Sequence, residues 1–189
     1  MPRWLLLAGV LFLLVAVAVA LVHRPSRAER AGDMRGFLQE VTTDVESCSG
    51  GVGESLTALR DVQAEHYSSS ADVADGISVA QQGAANCSPA NNEQIDDLEN
   101  YQVPESLSSF GLVAVVSDLV RWSAPDAERV QTDVARLLSG TTPQAKASAQ
   151  AILARDLSTL NAERAAIDSP ITKAITALHM HASPPKLAG

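Results

Sequence analysis

Residues 34–66 read MRGFLQEVTTDVESCSGGVGESLTALRDVQAEH, and in them Met34, Leu38, Val41, Val45, Cys48, Val52, Ser55, Leu59, Val62 and His66 recur at alternating steps of four and three. Such steps keep side chains on one stripe of an α-helix, and over this length they describe a heptad seam that another helix must cover. The seam holds phase across Gly50, Gly51 and Gly53, although a glycine costs a helix interior about 1 kcal/mol. One long helix with a soft middle is expected, a break at residues 49–51 being the alternative.

Outward from this stretch the pattern stays helical. Residues 67–70 read as a turn, and Val73, Ile77, Ala80, Ala84 and Cys87 repeat the steps of four and three. Pro89, Asn91 and Asn92 punctuate a loop over residues 86–92. Asn91 followed by Gln94 resembles a capping box for a short helix carrying Ile95, Leu98 and Tyr101. Leu107, Phe110, Val113 or Ala114, Leu119 and Trp122 mark a more apolar helix, and Pro125 suits the first position of the next, with Val130, Val134 and Leu137 on its stripe. Gly140 is placed to stop that helix in the left-handed conformation. Thr142-Pro143 opens the last long helix, with Ala149, Ile152 or Leu153, Leu157 and Leu160 on one face, and Ser169-Pro170 kinks or restarts it before Ile171, Ala174 or Ile175, and Leu178. Residues 183–189, with Pro184 and Pro185, read as a disordered tail. Nothing alternates at the period of a strand. The fold class is all-α, an antiparallel helical bundle over residues 23–182.

Cys48 and Cys87 are the whole cysteine content of the chain. Both sit on seams and their midpoint falls at the start of the turn at residues 67–70, so in an antiparallel hairpin they lie at about the same height and can form a disulfide. Two free buried thiols are the alternative. An even cysteine count in an exported chain favours the bond.

Export is read from residues 4–22, WLLLAGVLFLLVAVAVALV, a run of nineteen with no charge behind a short flank at 1–3. At about 1.5 Å per residue it matches the hydrocarbon core of a bilayer. Its length favours an uncleaved transmembrane signal anchor over a cleaved signal peptide, for which Ala18-Val19-Ala20 would be the processing site. Arg24, Arg27 and Arg30 on the far side count against an outward-facing C-terminal domain by the positive-inside rule. The N-terminal position of the run and the cysteine pair outweigh them. The expectation is a single-pass cell-membrane protein, in contact with the membrane through residues 4–22, whose bundle is extracytoplasmic, or secreted if the segment is cleaved.

The chain carries 14 Lys and Arg against 22 Asp and Glu, a net charge of −8. Ten of the acids lie within residues 61–120, which contain no Lys or Arg. Nucleic acid is disfavoured as a partner, because phosphate contacts need clustered positive charge. The acidic stretch reads either as a solvated face or as a surface for cations or a basic partner.

Motifs that carry chemistry are missing. No G-x-S-x-G, H-E-x-x-H or phosphate loop occurs, and His23, His66, His179 and His181 have no ligand spacing. No catalytic residue, cofactor or metal site is expected. What remains is a non-enzymatic cell-envelope protein acting through a protein partner, as an accessory or scaffold subunit. The alternative is an extracytoplasmic bundle that senses a small molecule or cation, with a pocket expected near Phe110 and Trp122.

Overall fold

The computed structural model describes residues 25–64 and 69–189. The flank at 1–3, the apolar segment at 4–22, the last seam position at His66 and the first half of the expected turn at 67–70 lie outside the described residues. Within them every regular element is helical, and no helix is long and apolar enough to cross a membrane.

Local sequence explains where each helix begins. Helix α1 spans Arg27–Gln63 and is capped by a reciprocal box, the Ser26 hydroxyl accepting from the Glu29 N–H while the Glu29 carboxylate accepts from the Ser26 N–H. Helix α2, Ser70–Asn86, repeats the device with Ser69 and Asp72. These boxes satisfy amide groups that a first helical turn leaves without partners. Helix α3, Glu93–Asn100, is capped by Asn92, one residue later than the spacing suggests. A 3-10 turn over Glu105–Phe110 leads to Gly111, whose φ of 71° suits a residue without a Cβ, and then to α4, Leu112–Arg121. Trp122–Ala127 forms a widened segment in which Ala124 leaves helical geometry just before Pro125. Helix α5 is Glu128–Ser139, and α6, Pro143–Ala177, starts under a Thr142 cap.

Several expected boundaries differ. The helix expected from Leu107 begins at Leu112, after the 3-10 turn, and α5 begins at Glu128 rather than at Pro125, because the backbone leaves helical geometry at Ala124. Gly140 stops α5 with an extended backbone, φ −62° and ψ 122°, rather than a left-handed one. Pro170 neither restarts nor ends α6, which continues to Ala177. Ile167, Ile171 and Ala174 are fully buried on both sides of the proline and hold the axis against the core. The stop comes at His179, a non-glycine residue with φ 51°. Its N–H donates to the Thr176 carbonyl and that of Met180 to the Ile175 carbonyl, the paired bonds of a Schellman ending.

Contacts descend one helix as they climb the next. Cys48 bonds Cys87, Gly51 faces Gly83 and Ala58 faces Gly76, so α1 and α2 are antiparallel. Gly83 meets Gln131 and Gly76 meets Leu138, which makes α2 and α5 antiparallel as well. Met34, Leu38, Val41, Val45, Cys48, Val52, Ser55 and Leu59 are all buried, as the heptad reading requires. On α2 the interior line is Gly76, Ala80, Gly83 and Cys87. Val73, Ile77 and Ala84 are only half-buried.

The small residues take the contact line on α2 because two helices press on it at once. A Cβ built on Gly51 would stand 2.8 Å from Gly83 Cα, and one on Gly83 would overlap Gln131 Oε1. Real Cβ contacts do not come so close, so at Gly83 a side chain would have to displace Gln131. The expected soft middle is thus a contact point: α1 runs unbroken through Gly50–Gly53, and the propensity lost there is offset by close helix approach.

Residues 183–189, expected to be disordered, carry no helix or strand but lie against the bundle with Pro185 and Leu187 buried.

Candidate functional site

An open groove of about 1130 Å³ runs along the outer side of α1. Its α1 wall includes Val45, Glu46, Gly50, Gly53, Glu54 and Thr57. The opposite lip is the C-terminal segment, Ser183 to Lys186. Gly50 is exposed with nothing within 4 Å of where its Cβ would be, and Gly53 faces Ala188. The missing side chains therefore widen the groove on this side of the helix while Gly51 permits close packing on the other. Glu46, Glu54 and Asp61 against Arg60 and Lys186 leave the lining mildly acidic.

The C-terminal segment is held through its backbone. Ser49 Oγ donates to the Lys186 carbonyl and accepts from the Ala188 N–H, both at 2.9 Å. Arg164 Nη1 donates to the carbonyls of Leu187 and Gly189 at 3.4 and 3.5 Å.

A second polar cluster lies between α5 and α6. Asp126 lies beside Glu163 and Asp133 beside Asp156, each carboxyl close enough to perturb its neighbour. Asp133 and Asp156 lie on α5 and α6, whereas Asp126 lies in the widened segment Trp122–Ala127 just before α5 and faces Glu163, seven residues beyond Asp156 on α6. Asp133 is 1% exposed and Asp156 4%, and each has one oxygen, Oδ2, buried without a donor. A proton shared between the two carboxyls would satisfy both. Burial, and then the bond to Asp156, raises Asp133 above the ordinary carboxylate range, whereas the hydrogen bond from Arg155 pulls Asp156 below it. Burial likewise raises Glu163, reinforced by Asp126 and opposed by Arg121. Arg129, Arg136 and Arg155 rim a hollow of about 440 Å³ beside Asp133 and Asp156. Each guanidinium is already engaged, by Asp126, Asp133 and Asp156 respectively.

Asp44, on the α1 surface turned to α3, is buried with Oδ2 unpartnered. Burial, with Glu40 and Asp97 nearby, pushes its carboxyl up to about 6.

Cys48 and Cys87 are disulfide-bonded with Cα atoms 4.6 Å apart, and Gln131 Nε2 donates to Cys87 Sγ at 3.0 Å. Trp122 is fully buried with its indole N–H unpartnered, and Phe110 is half-buried against the core. Neither lines the groove on α1 or the arginine-rimmed hollow. Most described acids of the 61–120 stretch are exposed, and among the described residues no group of His, Cys, Asp and Glu is arranged to hold a metal ion. The carboxyl ladder is absent from the sequence-based expectations, yet it leaves a trace in the sequence. Asp133 interrupts the stripe of Val130 and Leu137, and Asp156 that of Leu153 and Leu160.

Comparison with protein-family models, curated proteins and solved structures finds no match for this chain.

Proposed function

We propose that the protein is a non-enzymatic component of the cell envelope, tethered by residues 4–22, whose extracytoplasmic bundle engages a protein partner through the groove on α1. The observation that supports this most is the groove itself: about 1130 Å³ of open, largely unfilled surface flanked by Glu46, Glu54 and Asp61. Asp61, at the start of a stretch to residue 120 with ten acids and no Lys or Arg, lines it beside Glu46 and Glu54, so the favoured partner is a basic protein segment. The rest of the bundle serves as a rigid support, with the disulfide clamping the hairpin behind the groove.

Crosslinking the full-length anchored chain in its native membrane, followed by affinity purification, tests this reading. A discrete adduct lost on Glu46→Lys/Glu54→Lys substitution is expected; recovery of no adduct above background would end it.

A second reading, a bundle that senses a small molecule or ion, draws on the hollow rimmed by Arg129, Arg136 and Arg155. It ranks lower because each arginine is already engaged by a carboxylate. Thermal shift with phosphate, carboxylate metabolites and divalent cations separates the two.

A further inference from the structure

The C-terminal segment is seated the way a bound peptide is seated. It leaves the left-handed turn at His179 and crosses α1 with no secondary structure of its own. The bonds that Ser49 and Arg164 make to it all end on its backbone: Ser49 to the Lys186 carbonyl and the Ala188 N–H, Arg164 to the Leu187 and Gly189 carbonyls. Its buried side chains are Pro185 and Leu187, the latter 7% exposed. Lys186 is exposed on the lip of a groove that also carries Glu46 and Glu54. A receiving surface of this kind reads backbone carbonyl and amide groups, one aliphatic anchor and a neighbouring positive charge. It does not read the particular chain to which these belong.

We infer that residues 183–189 occupy in cis a docking site for an extended, proline-bearing segment of a partner protein that presents an aliphatic residue next to a basic one, and that this partner segment displaces them. The inference rests on the groove as the partner site and extends it: residues 183–189 form its lip and cover the adjoining strip at Ser49 and Arg164, which a partner segment would take over. With no helix or strand of its own, the segment has only these backbone bonds and the burial of Pro185 and Leu187 to offset the entropy of ordering it. A tethered occupant lowers the apparent affinity of any competitor by the fraction of time the site is closed. Proline lowers the ordering penalty for an incoming segment, since it is already extended before it binds.

The probe is a fluorescein-labelled synthetic peptide of residues 181–189, HASPPKLAG, titrated by anisotropy into the full chain and into the full chain carrying Leu187→Ala. The variant is expected to bind the peptide at least tenfold more tightly than the intact chain, and a peptide with alanine in place of its leucine is expected to bind neither. Equal or absent binding to the two chains, with unchanged circular dichroism, overturns the inference. Should Leu187→Ala fail to fold, native-state hydrogen exchange of the intact chain decides. An Ala188 amide that exchanges by local opening, far faster than the α1 core, supports displacement, and one that exchanges only with global unfolding refutes it. Groove crosslinks to a partner without peptide binding would sink this inference alone. Peptide binding without any partner adduct would sink the functional reading and leave the self-occupied site standing.

Discussion

Gly51 and Gly83 meet across the α1–α2 interface so closely that a Cβ on Gly51 would lie 2.8 Å from the Cα of Gly83. Around this contact the bundle gathers its least replaceable parts: the Cys48–Cys87 bond, the buried Gln131 that donates to Cys87 Sγ, and Ser55, whose hydroxyl reaches Gln131 Oε1 at 3.3 Å.

Gly83→Ala is expected to destabilise the protein by about 1–3 kcal/mol, because overpacking against Gln131 outweighs the gain in helix propensity. Gly50→Ala, beside Gly51 but on the open face of α1, is expected to stabilise by about 0.5–1 kcal/mol, since nothing lies within 4 Å of the added methyl. Urea denaturation of the two variants checks both signs. Equal effects would mean that the glycines serve flexibility rather than contact.

Removing the disulfide with Cys48→Ala/Cys87→Ala is expected to lower stability by up to about 4 kcal/mol, because the bond closes a loop of 39 residues. Far-UV circular dichroism at low temperature should keep its helical signature, since the seam survives. Calorimetry of the oxidised and reduced wild-type chain gives the same comparison without mutation.

Asp44 makes stability depend on pH. Its folded carboxyl titrates at about 6 against an ordinary 3.8, so folding takes up a proton between those values. The stability it contributes is therefore complete below about pH 4 and lost as pH rises through about 6. The difference between wild type and Asp44→Asn should widen over this window, in favour of the variant, by up to about 3 kcal/mol. A difference that does not change with pH would place Asp44 in a wetter site than the structure gives it.

Asp133 and Asp156 should respond differently to amide and to alanine. In Asp133→Asn the amide can donate to Asp156 Oδ2 without a shared proton, so stability at neutral pH should hold or rise by up to about 1 kcal/mol. Asp133→Ala strands Asp156 Oδ2 and releases Arg136, and should cost about 1–3 kcal/mol. Because burial raises Asp133, its share of stability is also present at low pH and lost as pH rises, and Asp133→Asn should flatten that slope. Urea denaturation of the three chains across the acidic and neutral range checks the order.

Periodicity makes part of this fold legible in the sequence. The α1 seam, the all-helical class and the Cys48–Cys87 pairing all derive from steps of four and three about a turn, and each reappears in the structure. The α2 contact line keeps Ala80 and Cys87 of its expected seam but takes Gly76 and Gly83 in place of Ile77 and Ala84. Periodicity weights large apolar side chains, whereas this interface selects residues small enough to sit between two helices, and Gly76 and Gly83 carry no hydropathy signal. The C-terminal segment differs from its expectation for a related reason. Pro184 and Pro185 exclude a helix but not docking, and the partners of residues 186–189 are Ser49 and Arg164, far away in sequence. The groove is illegible in the sequence because it is made by absent side chains at Gly50 and Gly53 together with a tail that returns from the other end of the chain.

Whether the groove on α1 receives a partner is decided by site-specific photo-crosslinking in cells that produce the chain. A photoreactive residue is placed in the full-length chain at Glu46, Glu54 or Thr57, in the groove, or at Val113 or Ser117 on α4, which contributes no residue to it. A groove that binds the partner gives a discrete adduct from its own positions and none from α4. Adducts from α4 with none from the groove, or equal yields from both, would contradict the assignment.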